Sequence, residues 1–134
     1  MNTRKHIAAE KKRSGHYNCA QSIVSTYCDL MNMEEASVCA LTRGFAAGMG
    51  NMKGTCGAIV GATMVLSVVY PNRAESIKHT AHLMRLFEIR NHATQCCMLK
   101  GIDTGKPLGA CPDCVADAAE ILESFLQSKN VTNP

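Results

Sequence analysis

Tryptophan is absent from the 134 residues, and aromatic residues make up only 4%. A core almost without rings has to be built from Ala, Leu, Ile, Val and Met, whose shapes suit closely packed helices. Strong charge is lacking too. A net charge of +3 is too mild to imply nucleic acid or an anionic membrane as partner. The one basic stretch, Arg4-Lys5-His6 through Lys11-Lys12-Arg13, reads as a solvated, frayed first helix. No continuous apolar region follows the basic N-terminus, so no secretory signal is expected. The longest apolar run, Ala58 to Tyr70, contains Thr63 and Ser67 and is too short to span a bilayer. The expectation is a cytoplasmic chain with no membrane insertion.

Several motifs are also missing. Without a C-x-x-C-H sequence, covalent c-type haem is excluded. The glycine-rich stretch does not end in G-K-[ST], so it is not a P-loop. No Ser–His–Asp arrangement is readable.

What the chain does have is eight cysteines: Cys19, Cys28, Cys39, Cys56, Cys96, Cys97, Cys111 and Cys114. A chain of this length buries roughly two-thirds of its unfolded surface and needs no disulfides to fold. In a reducing compartment the count therefore points to metal binding or thiol chemistry. About half of the cysteines are expected to be ordinary small hydrophobes.

The apolar periodicity predicts one all-α domain over 1–134, a bundle of about five helices with a Gly-rich loop. A short polar helix is expected over 5–12. Helices follow over 17–31 and from about 33 to 44, the second started by Asn32-Met33-Glu34-Glu35 read as an N-cap with a reciprocal acidic residue. Six glycines lie between Gly44 and Gly61, and 48–55 reads as a tight irregular loop. A helix over 58–69 has a small-residue face at Gly57 and Gly61. Asn72-Arg73-Ala74-Glu75 caps a long helix reaching Arg90, with Ile77, Ala81, Met84 and Phe87 inward. A helical turn carries Cys96-Cys97. A last helix over 112–127 has Val115, Ala118, Ala119, Leu122 and Phe125 as its stripe.

Cys111-Pro112-Asp113-Cys114 is the sharpest local signal. Proline favours the first helical position, which places Cys111 at the N-cap and Cys114 at N3. A thiolate there faces unpaired amides and the positive end of the helix dipole, so its pKa falls. Cys56 sits before its own helix with glycines beside it, so the same argument applies. Cys56 and Cys111 are thus the expected low-pKa redox thiols, with Cys56 the more acidic because Lys53 is near. Cys28 and Cys39 read as core. His79 and His82 share a helix face at i, i+3 and read as solvated rather than as ligands; His92 is a modulator at most.

Asn18-Cys19-Ala20-Gln21, Gly54-Thr55-Cys56-Gly57-Ala58-Ile59-Val60-Gly61-Ala62, Cys96-Cys97-Met98-Leu99 and Cys111 with Val115 and a closing amphipathic helix together resemble the C-GCAxxG-C-C family. Its members are small redox-active proteins with four characteristic cysteines, and the domain is similar to the iron–sulfur-bearing part of split-Soret cytochromes c. The resemblance covers about 15–127. It implies a ligand or redox set of Cys19, Cys56, Cys96 and Cys111. Cys96 is preferred to Cys97 because Leu99 then completes C-x-x-L. Cys97 and Cys114 are candidate additions outside the pattern.

Three functions follow. The first is electron transfer through an iron–sulfur cluster, [2Fe–2S] before [4Fe–4S], with a redox partner protein of unknown identity. The second is thiol–disulfide exchange, for example between Cys56 and Cys111. The third is a closed structural Zn site. Small residues and few aromatics also admit a homodimer.

Overall fold

The computed structural model describes residues 2–128. The described residues are 67% helical, and no strand occurs among them. The described residues form seven α-helices and one π-helical turn: α1 (Lys5–Arg13), α2 (Cys19–Thr26), α3 (Glu35–Thr42), the π turn (Gly48–Met52), α4 (Gly57–Val69), α5 (Arg73–Asn91), α6 (Cys96–Lys100) and α7 (Cys111–Ser128). The expected all-α class holds. The expected count of about five does not, because the basic N-terminus and the two short turns are structural elements in their own right.

Helix α1 is the clearest correction. It is not frayed: Ala8 and Ala9 are buried, and the helix packs along α7. Its entry is locked by a polar cluster that runs from the buried Tyr27 and Glu123 out to the exposed Asp29. The Arg4 amide donates to Glu123 at 2.8 Å, and the Tyr27 hydroxyl donates to the same carboxylate. The Arg4 guanidinium bonds Asp29 at 2.7 Å and the Thr26 carbonyl at 3.0 Å. These partners are far apart in sequence, so no local pattern announces them.

The centre of the bundle is α4, which touches α2, α5 and α7. Its small-residue face does what the sequence implied. A Cβ on Gly61 would lie 2.8 Å from the Ala20 carbonyl oxygen and 2.9 Å from the Ile23 Cβ, so only glycine lets α2 approach this closely. Helix α7 buries Val115, Ala118, Ala119, Leu122 and Phe125 as expected.

Two boundaries moved. Helix α2 stops at Thr26, and Asn32 has φ of 55°, so it closes the turns after α2 rather than capping α3, whose N-cap is Glu34. Cys28 consequently lies in a turn, not in a helix. In α5 the Asn72 cap is present, its side chain accepting from the Glu75 amide at 3.1 Å. The inward residues are Leu83 and Phe87, while Ile77 and Ala81 are exposed. No described helix is long and apolar enough to cross a membrane.

Candidate redox site

Four of the cysteines sit at four different helix starts. Cys19 is the first residue of α2, after an Asn18 capping box: the Gln21 amide donates to Asn18 Oδ1 at 2.7 Å, and the Asn18 amide donates to Gln21 Oε1 at 3.0 Å. Cys56 is the N-cap of α4. Cys96 opens α6 and Cys111 opens α7. Cys111 is thus one residue further into its helix than the proline suggested, with Ala110 accepting from the Cys114 amide.

Two of these starts are tied together. The Cys56 amide donates to the Thr94 carbonyl at 2.8 Å and the Cys96 amide to the Gly54 carbonyl at 3.0 Å, around a single antiparallel bridge between Thr55 and Gln95. The irregular loop before them is confirmed. Ala47, Met49 and Met52 all have positive φ, an uncommon cluster for residues with a Cβ. Gly48 presses against Cys96, where a Cβ would come within 2.6 Å of the Cys96 Cβ.

All four helix starts open on one cavity of about 190 Å³. Cys19, Cys56, Cys96, Cys111 and a fifth thiol, Cys114, line it, with Phe45, Ala46 and Leu99 as apolar wall and Lys12 and Lys100 as cations. Cys96 lines the cavity, whereas Cys97 does not and is half-buried. Cys28 and Cys39 are also outside it. Cys39 is half-buried in a separate surface hollow beside Tyr17 and Glu35, not in the core. His79 packs on Tyr70 and Phe125, with ring centroids 4.2 and 5.2 Å away, and His82 lies 5.3 Å from Phe125. His92 is exposed at the end of α5.

The thiols interact in pairs. Cys111 pairs with Cys19, not with Cys56. The Cys19 thiol stabilises the Cys111 thiolate, and Lys100 and Lys12 add to this against the cost of burial, so Cys111 is lowered to about 5. Cys19 holds the proton of the pair and is pushed up, by Cys111 first and by burial second. Cys56 reverses the expected order of acidity. The Ala58 and Ile59 amides do favour its thiolate, as a helix start should, but its contact with Cys114 and its burial outweigh them and raise it. Burial raises Cys96 as well, against the pull of Lys100.

Lys12 and Lys100 are the site residues that sequence reasoning did not assign; of the two candidate additions, Cys114 lines the cavity and Cys97 does not. Lys100 could have been read from its i, i+4 spacing to Cys96 on one helix face. Lys12 had no such signal, since it reaches the site only through the packing of α1.

The chain matches the family model described as "Putative redox-active protein (C_GCAxxG_C_C)" over residues 17–125. It belongs to that family, whose members are redox-active proteins. Comparison with curated proteins and with solved structures gave no match.

Proposed function

We propose that this chain is a small electron-transfer protein in which Cys19, Cys56, Cys96 and Cys111 hold an iron–sulfur cluster, [2Fe–2S] in preference to [4Fe–4S]. The observation that carries the reading is the convergence of four helix N-termini and two lysines on one thiol-lined cavity. Four thiolates and their cluster are net anionic. Exposed amides and the positive ends of helix dipoles favour such a group, as do Lys12 and Lys100. The all-sulfur donor set is the chemistry that iron–sulfur clusters select.

No three Cys, His, Asp or Glu side chains among the described residues are drawn together tightly enough to hold a metal ion. A structural Zn site needs four donors about 2.3 Å from one point. A two-iron centre distributes the same four donors over two metals, two to each. When bound, the cluster supplies one-electron transfer. The protein contributes the enclosure. Phe45, Ala46 and Leu99 limit water, Gly48 lets the loop close on Cys96, and Lys12 and Lys100 offset negative charge.

One observation favours a second reading. The Cys19–Cys111 pair, with its acidic Cys111, is arranged as an attacking thiolate and a resolving thiol. In that reading Cys111 attacks a substrate disulfide and releases one substrate thiolate. Cys19 then displaces the second, leaving a Cys19–Cys111 disulfide and a substrate reduced by two electrons. Iron, zinc and acid-labile sulfide analysis of anaerobically purified protein separates the readings. Iron and sulfide in equal amounts support the cluster. Metal-free protein whose two thiols are lost together on mild oxidation supports exchange, and zinc alone defeats both.

A further inference from the structure

The π turn, α6 and the loop over 101–109 form one continuous face. Gly54 and Cys96 are hydrogen-bonded across it, and the Leu108 amide donates to the Leu99 carbonyl at 2.9 Å. The same segments wall the cavity through Gly48, Leu99, Lys100 and Gly109, so this face lies directly over the thiols. Its outside is apolar. On these segments Met49 is 58% exposed and Ile102 57%, and Met98 and Leu108 are also exposed. Large apolar side chains gathered on one surface mark interaction sites, and methionines adapt to a partner's shape.

The same face is basic. Segments 48–56 and 95–110 carry Lys53, Lys100 and Lys106 against one carboxylate, Asp103. None of these three lysines takes part in an ion pair among the described residues. Lys5 and Arg90, by contrast, share Glu120. A basic rim around an apolar centre is complementary to a partner with the opposite charge around its own redox centre.

We infer that this face docks an acidic electron-transfer protein, bringing the partner's redox centre over the cavity. The inference rests on the redox reading above, but its test is a binding measurement that does not need the centre to work. The probe is an acidic plant-type [2Fe–2S] ferredoxin, titrated calorimetrically against the purified protein at low and at physiological ionic strength. Binding is expected to weaken with salt, and to weaken about tenfold at low salt in the K53E/K106E variant, because rim charges act on encounter. Lys53 and Lys106 do not line the cavity, so metal and thiol content should stay unchanged. The control is K78E/R85E. These residues flank Phe125, fourteen residues along α7 from Cys111, a separation of about 21 Å. That variant should bind as the parent does.

No binding at low salt overturns the inference, as does an equal loss in both charge variants. A concentration-dependent dimer abolished by Ile102→Asp also overturns it, because the face would then belong to a second copy. Normal docking by protein that lacks both metal and an oxidisable thiol pair would defeat the redox reading and leave the surface assignment standing.

Discussion

Alkylation of Cys111 gives the most quantitative prediction. An ordinary thiol titrates at 9.0, and Cys111 in this site titrates at about 5. At pH 6 about nine-tenths of Cys111 is therefore thiolate, against about one part in a thousand for an ordinary thiol, a ratio of about 900. Lower basicity weakens the nucleophile. With a Brønsted coefficient of about 0.4–0.5, four pH units remove about sixtyfold. The net expectation is that iodoacetamide labels Cys111 about tenfold faster than an ordinary exposed thiol at pH 6. The assay is the pH dependence of labelling in metal-free protein, resolved by peptide mass spectrometry. Cys19→Ala should raise the midpoint most, because the Cys19 thiol is the largest cause of the shift, and Lys100→Gln and Lys12→Gln should each raise it less. Cys56 should label slowly, since its contact with Cys114 and its burial raise it. A Cys111 midpoint in the ordinary thiol range, or one that ignores Cys19→Ala, would refute the paired-thiol account.

The remaining predictions concern stability. Because the folded pKa of Cys111 is lowered, its contribution is fully present above the ordinary thiol value of 9.0 and is lost as pH falls toward about 5. Cys19, Cys56 and Cys96 are shifted upward, so they oppose folding as pH rises above 9.0, and denaturant midpoints of metal-free protein should rise and then fall across that value. Gly61→Ala should destabilise by about 1–3 kcal/mol through its clash with Ala20 and Ile23, partly offset by about 1 kcal/mol of helix propensity. A melting temperature unchanged or raised in that variant would show that α2 and α4 are not this tightly apposed. Glu123→Ala leaves the buried Tyr27 hydroxyl and the Arg4 amide without their acceptor and should cost about 2–5 kcal/mol by urea titration. A loss under 1 kcal/mol would mean that α1 is not held there.

The helices were legible where periodicity and caps agree, as in α5 with Asn72 and α7 with its apolar stripe. Cys56 and Cys111 were legible from helix-start signals, whereas Cys19 and Cys96 joined them only through the family resemblance; all four stand at helix starts that open on one cavity. Acidity was not legible, because it is decided by which thiol faces which. Cys56 has favourable amides, and Cys114 cancels them. The turn at Asn32 misled because Asn suits both an N-cap and a left-handed turn, and here the end of α2 required the second. Ile77 has helical spacing but faces outward, since α5 packs through Leu83 and Phe87. Lys12 is invisible to any local reading of a site built around Cys111.

The central claim is that Cys19, Cys56, Cys96 and Cys111 act as one redox centre. It is tested most directly by the visible absorption of anaerobically purified single Ala variants of all eight cysteines. The account predicts a sulfur-to-iron absorption in the parent that is lost in each of those four variants and kept in Cys28→Ala, Cys39→Ala, Cys97→Ala and Cys114→Ala. A colourless parent, or absorption that survives loss of Cys19 or Cys96 and disappears with Cys28 or Cys39, would contradict it.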